Sequence, residues 1–214
     1  MPSPAEQTKK EFDVFYRPED GHGLPHNPFN ALITPRPIGW ISTRGANGMD
    51  NLAPYSFFNG VAYTPPQVMF SNTGAKPDRD GAKDSVSNIQ DTGVFAVNIV
   101  SHAMTDAMNI STEGFPADID EFEKAGLEKT ECETINCPRV AAAPAAMECK
   151  LVQIVDLPGA ANKLVIGQVT GIYINDDCLT DGKLDITKYH PLARMGYRDY
   201  TVVKEVFTLS RPDD

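Results

Sequence analysis

Six runs rich in β-branched and aromatic residues recur along the chain, each bounded by Gly, Pro, Asn or Asp: NALITPRPIGWIST, NLAPYSFFNGVAYTP, QVMFSNTG, GVFAVNIV, MECKLVQIVDLP and KLVIGQVTGIYIND. Such runs predict strands, because branched and aromatic side chains pack well on a pleated surface while the bounding residues favour turns. Six of them at this spacing favour a barrel. Between the third and fourth, KDSVSNIQDTG sets Asp84 or Ser85 before a short amphipathic run that stops at Gly93, the pattern of a helix with an N-cap and a glycine terminator. Residues 101–127 supply further helical material broken at Pro116, and residues 128–147, with weak periodicity, read as a surface connection. Residues 1–28 are rich in Pro, Gly and charge. They read as an arm, extended or with a short helix around TKKEFDVFY, that packs on the body or on a neighbour. The predicted organisation is an N-terminal extension, 1–28, and one mainly β domain with helical additions, 29–214.

A chain of 214 residues can build one substantial core without a second domain. Its formal net charge of −10 argues against nucleic acid or an anionic membrane as partner, since both need a basic face to displace counterions. An anionic ligand therefore needs a local cluster of donors. No run of about 20 apolar residues occurs and no apolar core follows a basic tip at the N-terminus, so the chain reads as soluble and cytoplasmic. Cys132, Cys137, Cys149 and Cys178 lack the paired spacing of a zinc site and are too few for a disulfide framework. His102 and His190 have no partner at a recognisable motif spacing, and Gly23 and Pro25 break any helical turn between His22 and His26, so neither a metal site nor a nucleophile is supported.

The candidate chemistry concentrates in two places. The stretch PRPIGWISTRGANGMDNLAPYSFFNG, residues 35–60, sets Ser42, Thr43, Asn51 and Ser56 around the single tryptophan, Trp40. Either this is a half-buried hairpin whose hydroxyls satisfy backbone groups around a core tryptophan, or it is a small-molecule cleft. The period of two puts Trp40 and Ser42 on one face and Thr43 on the other. Pro54 is expected to remove one ladder N–H and so free backbone groups at Ala53 and Ser56 to face a ligand. The second place is KDSVSNI, where Lys83 offers a point charge, Ser85 a hydroxyl, and the helix start its unsatisfied amides and positive dipole end. The Asp84 carboxylate would repel an anion, so it reads as an N-cap or as a ligand through its backbone N–H.

The ordered set RPIGWIST, NLAPYSFFN, PPQVMFS, KDSVSNI, TGVFAVNIV, DEFEKAGL, ECKLVQI, LVIGQVTGIYI and PLARMGY, from about Asn30 to Tyr200, is similar to the flavin reductase-like, FMN-binding split-barrel family, which includes flavoredoxin-type proteins and archaeal ferric reductase. The resemblance implies a six-stranded antiparallel split β-barrel, a homodimer, and FMN near the dimer interface. Ser85 stands where the family usually has Thr after Lys-Asp, and both supply a hydroxyl. The isoalloxazine is a flat, mostly apolar tricycle with a polar edge, so its pocket needs apolar walls and a few donors. NLAPYSFF can supply both, with Phe57 and its neighbours Tyr55 and Phe58 as walls or as plain packing residues. Arg194 in PLARMGY is, on the same resemblance, a second cation near the phosphate or the subunit contact.

Two functional classes follow. One is a flavin reductase in which NADH or NADPH passes hydride to FMN N5 and the flavin reduces an acceptor, the cofactor carrying the chemistry without a protein acid–base dyad. The other is an FMN-bound electron carrier that never meets a nicotinamide. A related split barrel doing pyridoxal-phosphate or haem chemistry shares the fold and is opposed by the Lys-Asp-Ser and Asn-Leu-Ala-Pro-Tyr-Ser motifs.

Overall fold

The computed structural model describes residues 14–74, 83–116 and 118–212. Seven antiparallel strands form its main sheet: β1 (Gly39–Arg44), β2 (Asp50–Tyr55), β3 (Phe58–Tyr63), β4 (Pro66–Asn72), β5 (Val94–Ile99), β6 (Ala145–Leu157) and β7 (Asn162–Ile174). They lie in the order β2-β1-β5-β6-β7-β4-β3. The two edge strands, β2 and β3, are consecutive in the chain and only Ser56 and Phe57 separate them, so the two ends of the sheet come together at that step. The result is a barrel split between β2 and β3, which share no ladder among the described residues. There are seven strands rather than six because the run NLAPYSFFNGVAYTP breaks at Ser56–Phe57 into β2 and β3.

Strand alternation divides the hydrophobic residues into two cores. Ile41, Tyr55, Val68, Phe70, Phe95, Val97 and Val165 fill the barrel interior, and Val86 and Ile89 of helix α1 (Asp84–Thr92) plug its end. The interior is tight enough that a Cβ on Gly167 would lie 2.4 Å from Phe95 Cζ. On the outer face, Ile38, Trp40, Leu52 and Val100 pack under Met104, Met108, Phe122 and Val140. Met108 belongs to α2 (Thr105–Ile110) and Phe122 to α3 (Glu121–Lys124), the helical material expected over 101–127. The connection 128–147 is less superficial than its periodicity suggests. It contains the three-residue strands Lys129–Glu131 and Pro138–Val140, too short to show a period, and buries Cys137, Val140 and Ala143.

Helix α1 starts one residue earlier than its sequence suggests. Lys83 is the N-cap, with no side-chain capping bond, and Asp84 and Ser85 both lie in the first turn. An acidic residue there is favoured by the helix dipole. Gly93 closes the helix at φ 72°, its N–H donating to the Ile89 carbonyl. A second small sheet joins Arg36–Pro37 to β8 (Leu192–Arg194) and β9 (Tyr200–Val202), with Arg36 opposite Arg194. Most of the helix expected around TKKEFDVFY falls outside the described residues; Val14–Tyr16 are not helical, and Phe15 is 90% exposed. Among the described residues no helix is long and apolar enough to cross a membrane.

Candidate functional site

Two clefts open on either side of the step from Tyr55 to Ser56. The first, of about 370 Å³, lies where β2 meets the start of α1 and the turn after α2. Asn51, Ala53, Pro54 and Tyr55 line it from the strand, Lys83, Asp84 and Ser85 from the helix, Ser111, Thr112, Glu113 and Gly114 from the turn, and Glu121 from α3. Five of the residues expected in a site, Asn51, Ala53, Lys83, Asp84 and Ser85, are thus brought together.

The local hydrogen bonds fix what each group can still do. Asn51 Nδ2 donates to Ser85 Oγ at 2.9 Å, and the Ser85 hydroxyl lies within hydrogen-bonding reach of the Tyr55 phenol as well as of the cleft. Ser111 Oγ donates to the Met108 carbonyl and accepts from Trp40 Nε1, and Thr112 Oγ1 donates to the Asn109 carbonyl, which leaves Ser111 one acceptor lone pair and Thr112 its acceptor capacity. Lys83 Nζ stands 5.7 Å from the centroid of the Tyr55 ring. The Tyr55 phenol is pushed up to about 12 by burial, reinforced by the charge of Glu121, so it stays neutral.

Glu121 accepts the Leu52 N–H at 3.1 Å, and that bond shows which way β2 faces. Leu52 turns its backbone away from β1, and backbone direction alternates along a strand, so Asn51, Ala53 and Tyr55 bond into the ladder opposite Thr43, Ile41 and Gly39. Pro54 faces the open edge, where a missing N–H breaks no ladder bond. The expectation that Pro54 frees the Ala53 backbone is therefore corrected. Sequence reasoning missed Glu121 as a cleft residue. The pattern DEFE marks a helix start, and Asp120 does cap α3 by accepting the Phe122 N–H, but nothing in it says which carboxylate turns to the strand.

Trp40, Ser42 and Thr43 line neither cleft and are fully buried. Trp40 and Ser42 do share one face, the outer one. Trp40 Nε1 donates to Ser111 Oγ at 2.9 Å, and Ser42 Oγ donates to the Pro138 carbonyl while it accepts from Asn98. Thr43, on the other face, accepts from Asn88 Nδ2 of α1. Their hydroxyls serve the backbone and neighbouring amides, as in the plainer of the two hairpin readings.

The second cleft, about 600 Å³, runs along the outside of β3, β4 and β7. Ser56 and Phe57 line it, together with Arg36, Phe29, Met69, Leu157 and Leu164. Arg36 Nε donates to Ser56 Oγ at 3.3 Å, and its guanidinium lies 5.7 Å from the Phe57 centroid. Arg194 sits behind Arg36 and lines neither cleft; its Nη atoms donate to the Tyr200 hydroxyl and the Tyr197 carbonyl. The structure does not bring Arg194 into the Lys83 cleft.

The model of the flavin reductase-like domain family matches residues 31–193. An uncharacterised protein of Deinococcus radiodurans is 36% identical over 210 residues, spanning 94% of this chain and 88% of its own. Among solved structures, component B of nitrilotriacetate monooxygenase from Bacillus cereus is 29% identical with a TM-score of 0.80, over 98% of each chain. The 2-nitrobenzoate 2-nitroreductase of Pseudomonas fluorescens is 27% identical with a TM-score of 0.76, over 86% of this chain and 88% of that one.

Proposed function

The chain belongs to the flavin reductase-like family, and from that premise we propose that the Lys83 cleft binds FMN in a homodimeric oxidoreductase that takes electrons from NADH or NADPH. One observation carries the reading: a strand with Pro54 and Tyr55 as apolar walls meets, in a single cleft, a helix start that bears Lys83 and Ser85.

The donor set suits a ligand with a ring at one end and a phosphate at the other. At the helix end, Lys83 gives a charge-assisted contact, Ser85 its hydroxyl, and the first turn, which has no side-chain cap from Lys83, its dipole. Ser111 and Thr112, left as acceptors, suit the hydroxyls of a ribityl chain. The carboxylates of Asp84, Glu113 and Glu121 repel a phosphate, which confines it to the Lys83 side. Bound FMN supplies the hydride and electron transfer, while these residues bind and orient it. Trp40, Ser42 and Thr43 support the cleft from the core, Trp40 through its bond to Ser111.

The likeness to a monooxygenase component and a nitroreductase supports an enzyme over a passive carrier. The decisive experiment is the absorption spectrum of freshly purified protein, followed by NADH and NADPH oxidation with and without added FMN. Flavin absorbance that filters away only after unfolding, with turnover of either donor, is the expected result. A protein that neither carries nor binds FMN overturns the assignment. FMN binding without turnover of either donor replaces the reductase by an electron carrier. The homodimer draws support from the exposed apolar residues Val14, Phe15, Val61 and Tyr63, which need a surface to cover, and light scattering at micromolar concentration tests it.

A further inference from the structure

The second cleft holds a charge that the fold leaves unanswered. Arg36 is 6% exposed, and four of its five donors go to neutral acceptors: Ser56 Oγ and the carbonyls of Asn30, Ile33 and Met195. Directly across the strand pair stands Arg194, likewise bonded only to a tyrosine hydroxyl and a carbonyl. Neither guanidinium meets a carboxylate among the described residues. Like charges directly opposite in register are unfavourable, and burial, then the Arg194 charge, lower the Arg36 pKa.

The arrangement contrasts with the rest of the molecule. Arg44 pairs with Asp50 and Glu131, and Lys129 with Asp50 and Asp120. A chain of net charge −10 has carboxylates in excess, yet none is set beside this pair. The cleft that Arg36 lines has the size of a small-molecule site, with apolar walls from Phe29, Phe57, Met69, Leu157 and Leu164.

We propose that this cleft is a binding site, separate from the Lys83 cleft, for an organic anion with an apolar body of aromatic size. The anionic group lies toward Arg36, which offers one remaining Nη2 donor and the field of two guanidiniums. The body lies against Phe57, Met69 and Leu164. The site does not depend on the flavin assignment, since Tyr55 and Ser56 direct the two clefts to opposite sides of one peptide step.

Benzoate, with benzamide as its neutral counterpart, tests the proposal by calorimetric titration of the full chain with and without FMN. The expected result is that benzoate binds at least about tenfold tighter than benzamide, as a charge-assisted bond provides. The preference should shrink as salt rises, and saturating FMN should leave the benzoate affinity unchanged. Arg36→Lys should reduce the preference, but Arg36 also ties three carbonyls, so that variant can disturb the segment 29–36. Ser71→Trp, on the cleft wall away from Arg36, keeps those ties and fills the space; with the fold checked by circular dichroism, it should abolish benzoate binding. Equal affinity for benzoate and benzamide, no benzoate binding, or full benzoate binding in Ser71→Trp overturns the proposal. Competition between benzoate and FMN overturns it too, by giving the cleft to the flavin. Benzoate binding in a protein that never binds FMN refutes the flavin assignment alone.

Discussion

Replacing Lys83 by Ala removes the ammonium from the helix end of the cleft, and with it the approach to the Tyr55 ring. The backbone of Lys83 starts α1, its carbonyl accepting the N–H groups of Val86 at 3.0 Å and Ser87 at 3.1 Å, and its side chain makes no capping bond. Alanine keeps that carbonyl, so the helix start survives. Toward FMN the loss is one ammonium against one phosphate, a charge-assisted hydrogen bond of about 1.5–3 kcal/mol, or roughly 10- to 150-fold in affinity, and riboflavin reports whatever else the side chain holds. Riboflavin has the same ring and ribityl chain without the phosphate and should bind the variant as well as the native protein. Fluorescence titration of both ligands at low and high salt makes the comparison. Salt should weaken FMN binding to the native protein and affect the variant less, because the screened contact is already gone. Equal losses for FMN and riboflavin would show that Lys83 holds the ring or the fold. A loss for neither ligand would remove the phosphate from this helix end.

Ser85→Ala should cost FMN about 0.5–1.5 kcal/mol, roughly 2- to 13-fold, and also destabilise the protein, since it strands the buried Asn51 amide; Ser85→Thr should retain both properties, read by titration and urea unfolding. Trp40→Phe should lower stability by about 1–3 kcal/mol through the lost bond to Ser111, and a loss of FMN affinity larger than that cost would return Trp40 to the site. Burial works to raise the Glu148 carboxyl, but bonds from Thr134 Oγ1 and the amides of Glu133 and Thr134 prevail and hold it below its ordinary value. Its contribution is therefore present above the unfolded value of about 4.3 and is lost as pH falls through the lower folded value; the urea midpoints of native and Glu148→Gln protein should converge below about pH 4. Tyr55 works in the opposite sense. With its phenol at about 12 when folded, the native state binds the extra proton, so stability should fall as pH rises from the unfolded value of about 10, and absorbance at alkaline pH should show a late-titrating tyrosine that Tyr55→Phe removes, beside Tyr189, which burial also raises.

The strands of the main sheet were legible because branched and aromatic runs between turn residues have few alternatives, and Gly93 marked the end of α1 without ambiguity. The break at Ser56–Phe57 was not, since a lone Ser beside an aromatic is a weak turn signal inside a β-rich run; there the chain passes from one edge of the sheet to the other. That Lys83 and Ser85 stand together at a helix start was readable from residue type and spacing alone. The hairpin was harder. Its alternation correctly separated Trp40 and Ser42 from Thr43, but a hydroxyl facing a ligand and one facing the Pro138 carbonyl look the same in sequence. The direction of β2 depended on a single long-range bond, Leu52 to Glu121, which no local pattern encodes. Arg36 was one arginine among several until the register set it against Arg194.

The seam between β2 and β3 also decides how the barrel yields. Every other neighbouring pair around its wall is stitched by ladder bonds, up to the long run of registered pairs between β6 and β7, whereas β2 and β3 share no ladder among the described residues. Opening the wall along that line breaks no sheet hydrogen bond, so the barrel has one direction of easy breathing. Amide exchange should enter there first. Because Ser56 and Phe57 join the two strands at one end only, that step is the hinge of any such opening, and it stands between the two clefts.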